Sequence, residues 1–458
     1  MKHYYFIILL FLSCCHTDNE KNNNSIFVKS FTPQQLKQDI DYVRNSLTKK
    51  HPHLYWYISR SKLDYQFDSL KKTINAPLTA PQFRHKLLHI LSSIGDGHIA
   101  LQFDNNKLST EDMLFFSGSK EYPIQQLTYK IIKNRLYVLK NRSGNNTLSP
   151  GAEILSIDNK PSFEIIKDFS DEWVSDGYNQ TYKIGRLNLD DFPSRYYFTY
   201  GLKENLTFTI KQHNDIKSYV LSVRNRPKPK RNDNWVTTST STMPLNDRAA
   251  YIKVSQFVNV SDPFSTFFAR AKKQGLKCLI LDLRDNLGGD YMQMVKLFEH
   301  LINKPAFFCN IKVRELDSTQ KAIAKSMDYG TKVPILPNRN HFDGKVYVII
   351  NGPTFSAAAL LAANLQVTSH AILVGEETGG GRNGCIAGVY QASFLPNTKL
   401  FFRFGLYQFI VRPQVNQKGR GVMPDIPIVY TIKDYLSTRD LEREWIDNDI
   451  KAKGVLKQ

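Results

Sequence analysis

The sequence predicts an α/β protein, because three different patterns follow one another along the chain. Residues 31–105 carry apolar side chains at helical spacing, and residues 120–223 have the short apolar alternations of β-strands. Residues 236–440 alternate strands with helices, which indicates parallel strands covered by helices. In this last region strands are expected near residues 250–254, 276–283, 346–350 and 371–374, and helices near 264–274, 291–303 and 356–366.

The helical N-terminal domain (residues 31–105) is defined by two helix starts. Thr32 can cap a helix with its hydroxyl, Pro33 suits the first turn, and Gln35 can return a hydrogen bond to the cap. Thr79 and Gln82 repeat this arrangement. The sequence therefore predicts a helix after each threonine.

The remaining boundaries follow from composition. Residues 224–235 are rich in proline, lysine and arginine and lack an aromatic pattern, so they are expected to form a solvated linker. Residues 441–458 are expected to be a C-terminal tail. The 458 residues include 41% hydrophobic and 22% charged side chains, which excludes a wholly disordered chain. The net charge of +19 is scattered and accompanies no nucleic-acid motif, so no nucleic-acid partner is expected.

The first residues are typical of a bacterial lipoprotein signal. Lys2 precedes a short apolar run and the pair Cys14-Cys15. We expect residues 1–14 to be the signal, Cys14 to carry the lipid, and residues 15–30 to be a polar linker. Cys15 is the alternative lipidation site, and a plain cleaved signal is the alternative to an anchor. This interpretation predicts a protein of the bacterial cell envelope, lipid-anchored to a membrane and either periplasmic or surface-exposed.

No cofactor or metal is expected from the sequence. Cys278, Cys309 and Cys385 are odd in number and irregularly spaced, which fits neither a disulfide framework nor a metal motif. His51 and His53 lack a second pair of ligands at suitable spacing.

Ser356 is the candidate nucleophile. It follows an apolar strand and a tight turn, and it precedes a helix rich in small residues. At such a position the free N–H groups and the dipole of the helix can stabilise an oxyanion. The alternative is that Ser356 only caps the helix. Gly288 and Gly289 follow another expected strand, where their N–H groups could approach a ligand closely.

Taken together, these stretches resemble the tail-specific (C-terminal processing) serine peptidase family. The resemblance rests on residues 282–289, 354–358, 375–380 and 421–425, in that order, and residues 96–98 resemble the tricorn-like and retinoid-binding-protein-like branch. It implies a spiral β-β-α core of the crotonase or ClpP type and a PDZ-like domain at residues 120–223. It also implies Ser356 as nucleophile, with N–H groups of Ala357 and of Gly288 or Gly289 as oxyanion donors.

The general base departs from the best-known pattern of that family. Gly381 stands where family members with a serine–lysine dyad have lysine, and Arg382 comes next. Arginine remains protonated and is a poor base. His98 is therefore the expected base, since imidazole titrates near neutrality. Glu377 and Asp96 are the candidates for a third group.

The sequence thus predicts a serine endopeptidase that cleaves peptides or envelope proteins through an acyl-enzyme on Ser356. The alternative is a catalytically inactive ligand- or peptide-binding protein on the same fold. The sequence predicts no particular oligomeric state for the protein.

Overall fold

The computed structural model describes residues 28–104, 115, 118–226, 240–244, 249–258, 262, 264–314, 317–369, 371–416 and 418–452. The expected signal, with Cys14 and Cys15, lies outside the described residues, and so does most of the expected linker. Among the described residues, no helix has the length and apolarity that crossing a bilayer requires.

The N-terminal unit contains three helices, and both expected capping boxes are present. The hydroxyl of Thr32 accepts from the N–H of Gln35, whose side chain accepts from the N–H of Thr32, and Thr79 and Gln82 make the same pair. A middle helix was not expected; it packs Leu63 and the next-turn residue Phe67 into the core. The helices are Pro33–Lys50, Arg60–Thr73 and Ala80–Ser93.

The region expected to be β-rich forms an antiparallel sheet with its own apolar core. Helices follow the first half of this sheet; the first of them, Ser162–Glu172, buries Ile165 and Phe169 against it. The strands are, in sheet order, Asp215–Ser222, Asn205–Gln212, Glu153–Ile157, Arg135–Asn141 and Leu127–Ile132, with Lys160–Pro161 beside the third. The other helices are Thr181–Arg186, the π-helical Leu187–Asp191, and Phe192–Tyr200.

The region expected to alternate strands and helices, residues 236–440, contains a six-stranded sheet, which we call the core sheet. All its strand pairings but the first are parallel, so the expected α/β class is confirmed. The strands are, in sheet order, Thr240–Pro244, Ala249–Val254, Cys278–Asp282, Lys345–Ile350, Ile372–Gly375 and Ile426–Pro427. All five residues of the third strand are buried, as expected for a parallel strand covered on both faces.

Helices cover both faces of this sheet. Ser265–Lys273, Tyr291–Glu299 and Ala357–Thr368 contribute to the cluster on one face. The expectation of a C-terminal tail is wrong for residues 441–452, because Leu441–Ala452 is a helix that buries Ile446 and Ile450 against the other face. The spacing of these isoleucines, one helical turn apart, is what allows the burial.

A second sheet joins the N-terminal unit to the core. Its strands are Asn310–Val313, Phe401–Ile410 and Gly384–Phe394, and Ala100–Gln102 pairs with the middle one. This pairing fixes the chain that immediately precedes it, which contains His98. The short elements are Ser30–Phe31, Leu78–Thr79, Lys120–Glu121, Pro123–Gln125, Arg224–Asn225, Ser318–Ser326 and Ile432–Leu436.

Candidate active site

Ser356 lies in a strained turn between a central parallel strand and a helix. Its φ of 52° and ψ of −126° are rare for a residue with a side chain, and such a conformation costs on the order of 1–3 kcal/mol. The hydroxyl of Thr354 donates to the carbonyl of Leu283 at 2.9 Å, and the N–H of Phe355 donates to the carbonyl of Asn286 at 2.9 Å. These bonds to the neighbouring loop hold the turn, and the sharp bend leaves the side chain of Ser356 only half-buried.

His98 lies beside Ser356, although 258 positions of sequence separate the two residues. Its Nε2 lies 3.0 Å from Ser356 Oγ, within hydrogen-bond reach. The ring stacks on Phe355 with a centroid separation of 4.7 Å, and the backbone N–H of His98 donates to Asp96 Oδ1 at 2.9 Å. The structure therefore brings together the two residues that the sequence selected as nucleophile and base.

The imidazole of His98 is neutral near neutral pH. Burial lowers its pKa to about 4; Asp96 opposes this shift, and the positive charge of Arg403 reinforces it. A neutral ring has a free lone pair on one nitrogen. With a proton on Nδ1, the ring can accept the hydroxyl proton of Ser356 at Nε2.

Asp96 is the third-group candidate that lies beside His98. Its Oδ1 is 3.9 Å from His98 Nδ1, which is an ion-pair distance rather than a hydrogen bond. Its other oxygen lies 3.0 Å from Nε2 of the buried His51. Asp96 thus places a negative charge near the imidazole and is itself held by a second histidine.

Asp176 is a site residue that the sequence analysis missed. It lies in the loop after Ser162–Glu172, and its two oxygens accept from the N–H groups of Gly97 at 2.9 Å and Gly381 at 3.0 Å. It therefore connects the loop that contains His98 (residues 94–99) to the glycine-rich loop (residues 376–383). Burial, reinforced by the charge of Asp96, raises the pKa of Asp176 to about 7. No motif surrounds it, so only the three-dimensional structure reveals it.

The expected oxyanion donors differ in how their N–H groups are used. The N–H of Gly288 donates to Asn286 Oδ1 at 2.8 Å, whereas no acceptor for Gly289 or Ala357 is found among the described residues. A Cβ added to Gly288 would lie 2.6 Å from Ser356 Cβ and 3.0 Å from the nitrogen of Ala357. Gly288 therefore matters through its closeness to the turn, and Gly289 and Ala357 carry the free donors.

Glu377, the other third-group candidate, faces away from His98. Its carboxylate accepts from Arg420, with Nη2 to Oε2 at 2.6 Å, and from the N–H of Gly421 at 2.7 Å. Arg382 is also turned away, with its guanidinium directed to the carbonyl of Pro413 at 3.4 Å. Both residues therefore connect the glycine-rich loop to residues 413–421.

A hydroxyl on a strand-to-helix turn beside a neutral imidazole is the arrangement by which serine hydrolases activate their nucleophile. Residues 248–428, about two fifths of the chain, match the model of "Peptidase family S41". The chain is also 24% identical, over 181 residues, to a carboxyl-terminal-processing protease of Picosynechococcus sp. (strain ATCC 27264 / PCC 7002 / PR-6). The aligned part is 39% of this chain and 39% of that protein, so the match spans about two fifths of the relative's length.

Solved structures share the fold over most of the chain. A structure of mature CPAF complexed with lactacystin has a TM-score of 0.66 at 13% identity and covers 93% of this chain and 99% of that chain. Another structure of mature CPAF has a TM-score of 0.63 at 14% identity, with coverage of 91% and 96%. The shared fold thus extends beyond residues 248–428 to the N-terminal and antiparallel units.

Proposed function

We propose that this protein is a serine endopeptidase of the tail-specific type that cleaves peptides or envelope proteins. The observation that carries the proposal is the 3.0 Å separation of His98 Nε2 and Ser356 Oγ at a strained strand-to-helix turn. The match of residues 248–428 to a peptidase family model supports peptide bonds as the substrate class.

Acylation begins with proton transfer. His98 accepts the proton of the Ser356 hydroxyl at Nε2 while Oγ attacks the carbonyl carbon of the scissile peptide. The imidazolium formed is stabilised by Asp96, whose Oδ1 lies 3.9 Å from Nδ1. His98 then gives the proton to the leaving amine, which departs as the acyl-enzyme forms. Water attacks the ester in the second half of the reaction, again with His98 as base.

The negative oxygen of the tetrahedral intermediate needs donors beside Ser356. The N–H of Ala357 begins a helix of 12 residues, so the helix dipole adds to its effect. The exposed Gly289 supplies the second free N–H. We assign the donors to Ala357 and Gly289, and a spacing role to Gly288.

A cavity of about 710 Å³ offers a path for an extended substrate. Its lining includes residues 130–132 of the edge strand Leu127–Ile132, and Asn351 and Pro353, which precede Ser356. Edge strands bind extended peptides through main-chain hydrogen bonds. Asn188 pairs with Ile131, donating to its carbonyl and accepting from its N–H, so a peptide that pairs at this position would take the place of the Asn188 side chain.

The experiment is labelling with a fluorophosphonate probe, which reacts with activated serines. We expect labelling at Ser356 that is lost in Ser356→Ala and reduced by orders of magnitude in His98→Ala. The exposed Ser437 gives a matched control, because Ser437→Ala should label normally. Absence of labelling in well-folded protein would favour the inactive ligand- or peptide-binding alternative.

We also propose that Cys14 carries a lipid that anchors the protein to a membrane of the cell envelope. The support is the signal-like sequence that precedes it. Metabolic labelling with a palmitate analogue should mark the wild type and Cys15→Ser but not Cys14→Ser. Labelling lost only in Cys15→Ser would move the anchor to Cys15.

A further inference from the structure

We infer that His98, Asp176 and Cys385 form an inhibitory binding site for a divalent transition-metal ion such as Zn²⁺. A ring nitrogen of His98, a carboxylate oxygen of Asp176 and the Sγ of Cys385 lie within 4.8 Å of one another. Imidazole, carboxylate and thiolate are the three ligand types that Zn²⁺ takes from proteins. The inhibitory role rests on the proposed function, whereas metal binding itself does not.

An unpartnered nitrogen makes the cluster more than a chance grouping. His98 is 7% exposed, and its Nδ1 has no hydrogen-bond partner within the part of the chain that the structure describes. Cys385 is 3% exposed and Asp176 is 2% exposed. A buried polar nitrogen without a partner is costly, and a bound cation would satisfy it.

The charges around the cluster also favour a cation. Asp96 and Asp176 are both buried, and Asp96 Oδ1 lies 3.9 Å from His98 Nδ1. A divalent ion would replace the thiol proton and offset two of the three negative charges carried by the thiolate and the two carboxylates. Arg403 is the positive charge that bears on His98 from the neighbouring strand.

Metal binding would block catalysis whichever nitrogen of His98 it uses. Coordination at Nε2 occupies the lone pair that accepts the Ser356 proton. Coordination at Nδ1 leaves the proton on Nε2, which then cannot act as a base. The step involves no redox change: the thiol proton is released, and the metal–sulfur, metal–nitrogen and metal–oxygen bonds form. The fourth ligand of a tetrahedral ion would be water or the Ser356 hydroxyl.

The test measures inhibition and binding separately. We expect Zn²⁺ to inhibit probe labelling and peptide hydrolysis reversibly, with recovery after a chelator. Cys385→Ser should retain basal activity and need at least about tenfold more Zn²⁺ for inhibition. Cys278→Ser is the matched control, because Cys278 is equally buried but lies in the parallel sheet; its inhibition should be unchanged.

Binding is followed with Co²⁺ on the inactive variant Ser356→Ala, so that it does not depend on peptidase activity. We expect a thiolate-to-cobalt absorption band that is lost in Cys385→Ser and kept in Cys278→Ser. If Cys385→Ser fails to fold, as judged by circular dichroism, Cys385→Ala replaces it. A band or an inhibition constant that is the same with and without the Cys385 thiol would overturn the proposal. Binding without any hydrolysis by the wild type would instead refute the proposed function.

Discussion

His51 Nε2 lies 3.0 Å from Asp96 Oδ2, and neither side chain has appreciable contact with solvent. His51 ends the first helix, so this bond connects that helix to the loop that carries His98. Asp96 in turn accepts from the backbone N–H of His98. We regard His51 as a positioning residue, because it acts on His98 only through Asp96.

Replacing His51 should therefore impair both stability and turnover. His51→Leu leaves a buried oxygen of Asp96 without its partner, which should lower the free energy of unfolding by about 1–3 kcal/mol. We expect kcat to fall more than KM changes, because both side chains of this pair are buried. Urea denaturation and steady-state kinetics measure the two effects. His53→Leu is the control, since His53 is exposed and its ring bonds Gln408 rather than Asp96; equal losses in both variants would contradict the role of His51.

The pH dependence of hydrolysis should report the environment of His98. Because burial lowers its pKa to about 4, the imidazole stays neutral as the pH falls through the ordinary histidine range. We expect kcat/KM to decline toward pH 4 rather than near 6.5. The pKa of Asp176 is raised to about 7, so kcat/KM of the wild type should show a second change near pH 7. This change should be absent in Asp176→Asn. A full acid limb near 6.5 in that variant would show that His98 is solvated.

Gly288→Ala should disable the site through steric conflict. The new Cβ would lie 2.6 Å from Ser356 Cβ, and the φ of +101° already disfavours alanine. Probe labelling should fall by roughly 10²-fold or more, the scale of losing an oxyanion donor. Gly275→Ala is the control, because φ there is +61° but no atom lies within 4 Å of the added Cβ. Similar labelling of both variants would mean that strain alone, and not contact with Ser356, governs the result.

Glu377→Gln should leave the reactivity of Ser356 nearly unchanged. The ion pair with Arg420 is lost, but that arginine is half-exposed, so the effect on stability should be about 1 kcal/mol or less. Probe labelling rates and thermal unfolding measure the two quantities. A loss of labelling on the order of 10³-fold would make Glu377 the third catalytic group instead of Asp96.

Local patterns predicted the local structure well. The capping residues Thr32 and Thr79 begin helices as expected, and the apolar run after Leu276 becomes the buried strand Cys278–Asp282. The helix Leu441–Ala452 was missed because only two buried isoleucines mark its apolar face among many charged residues. Its stability depends on the sheet it covers, which a local pattern does not contain.

The site was predicted only in part, because its contacts are distant in sequence. The resemblance selected Ser356 and His98, which the structure places in hydrogen-bond reach across 258 positions. Spacing and composition alone could not relate them. Asp176 lies in no recognisable sequence motif. Its place in the site follows only from the hydrogen bonds that it accepts from the N–H groups of Gly97 and Gly381. Between the two third-group candidates, Glu377 is engaged by Arg420 and by the N–H of Gly421, and Asp96 is the one beside His98.

The pairing of Ala100–Gln102 with Phe401–Ile410 has a consequence for biosynthesis. During translation the segment with His98 leaves the ribosome long before its strand partner exists. The imidazole is therefore not secured opposite Ser356 until the ribosome has passed residue 410. A nascent chain, or a fragment truncated before that point, should be unable to attack its neighbours in the cell.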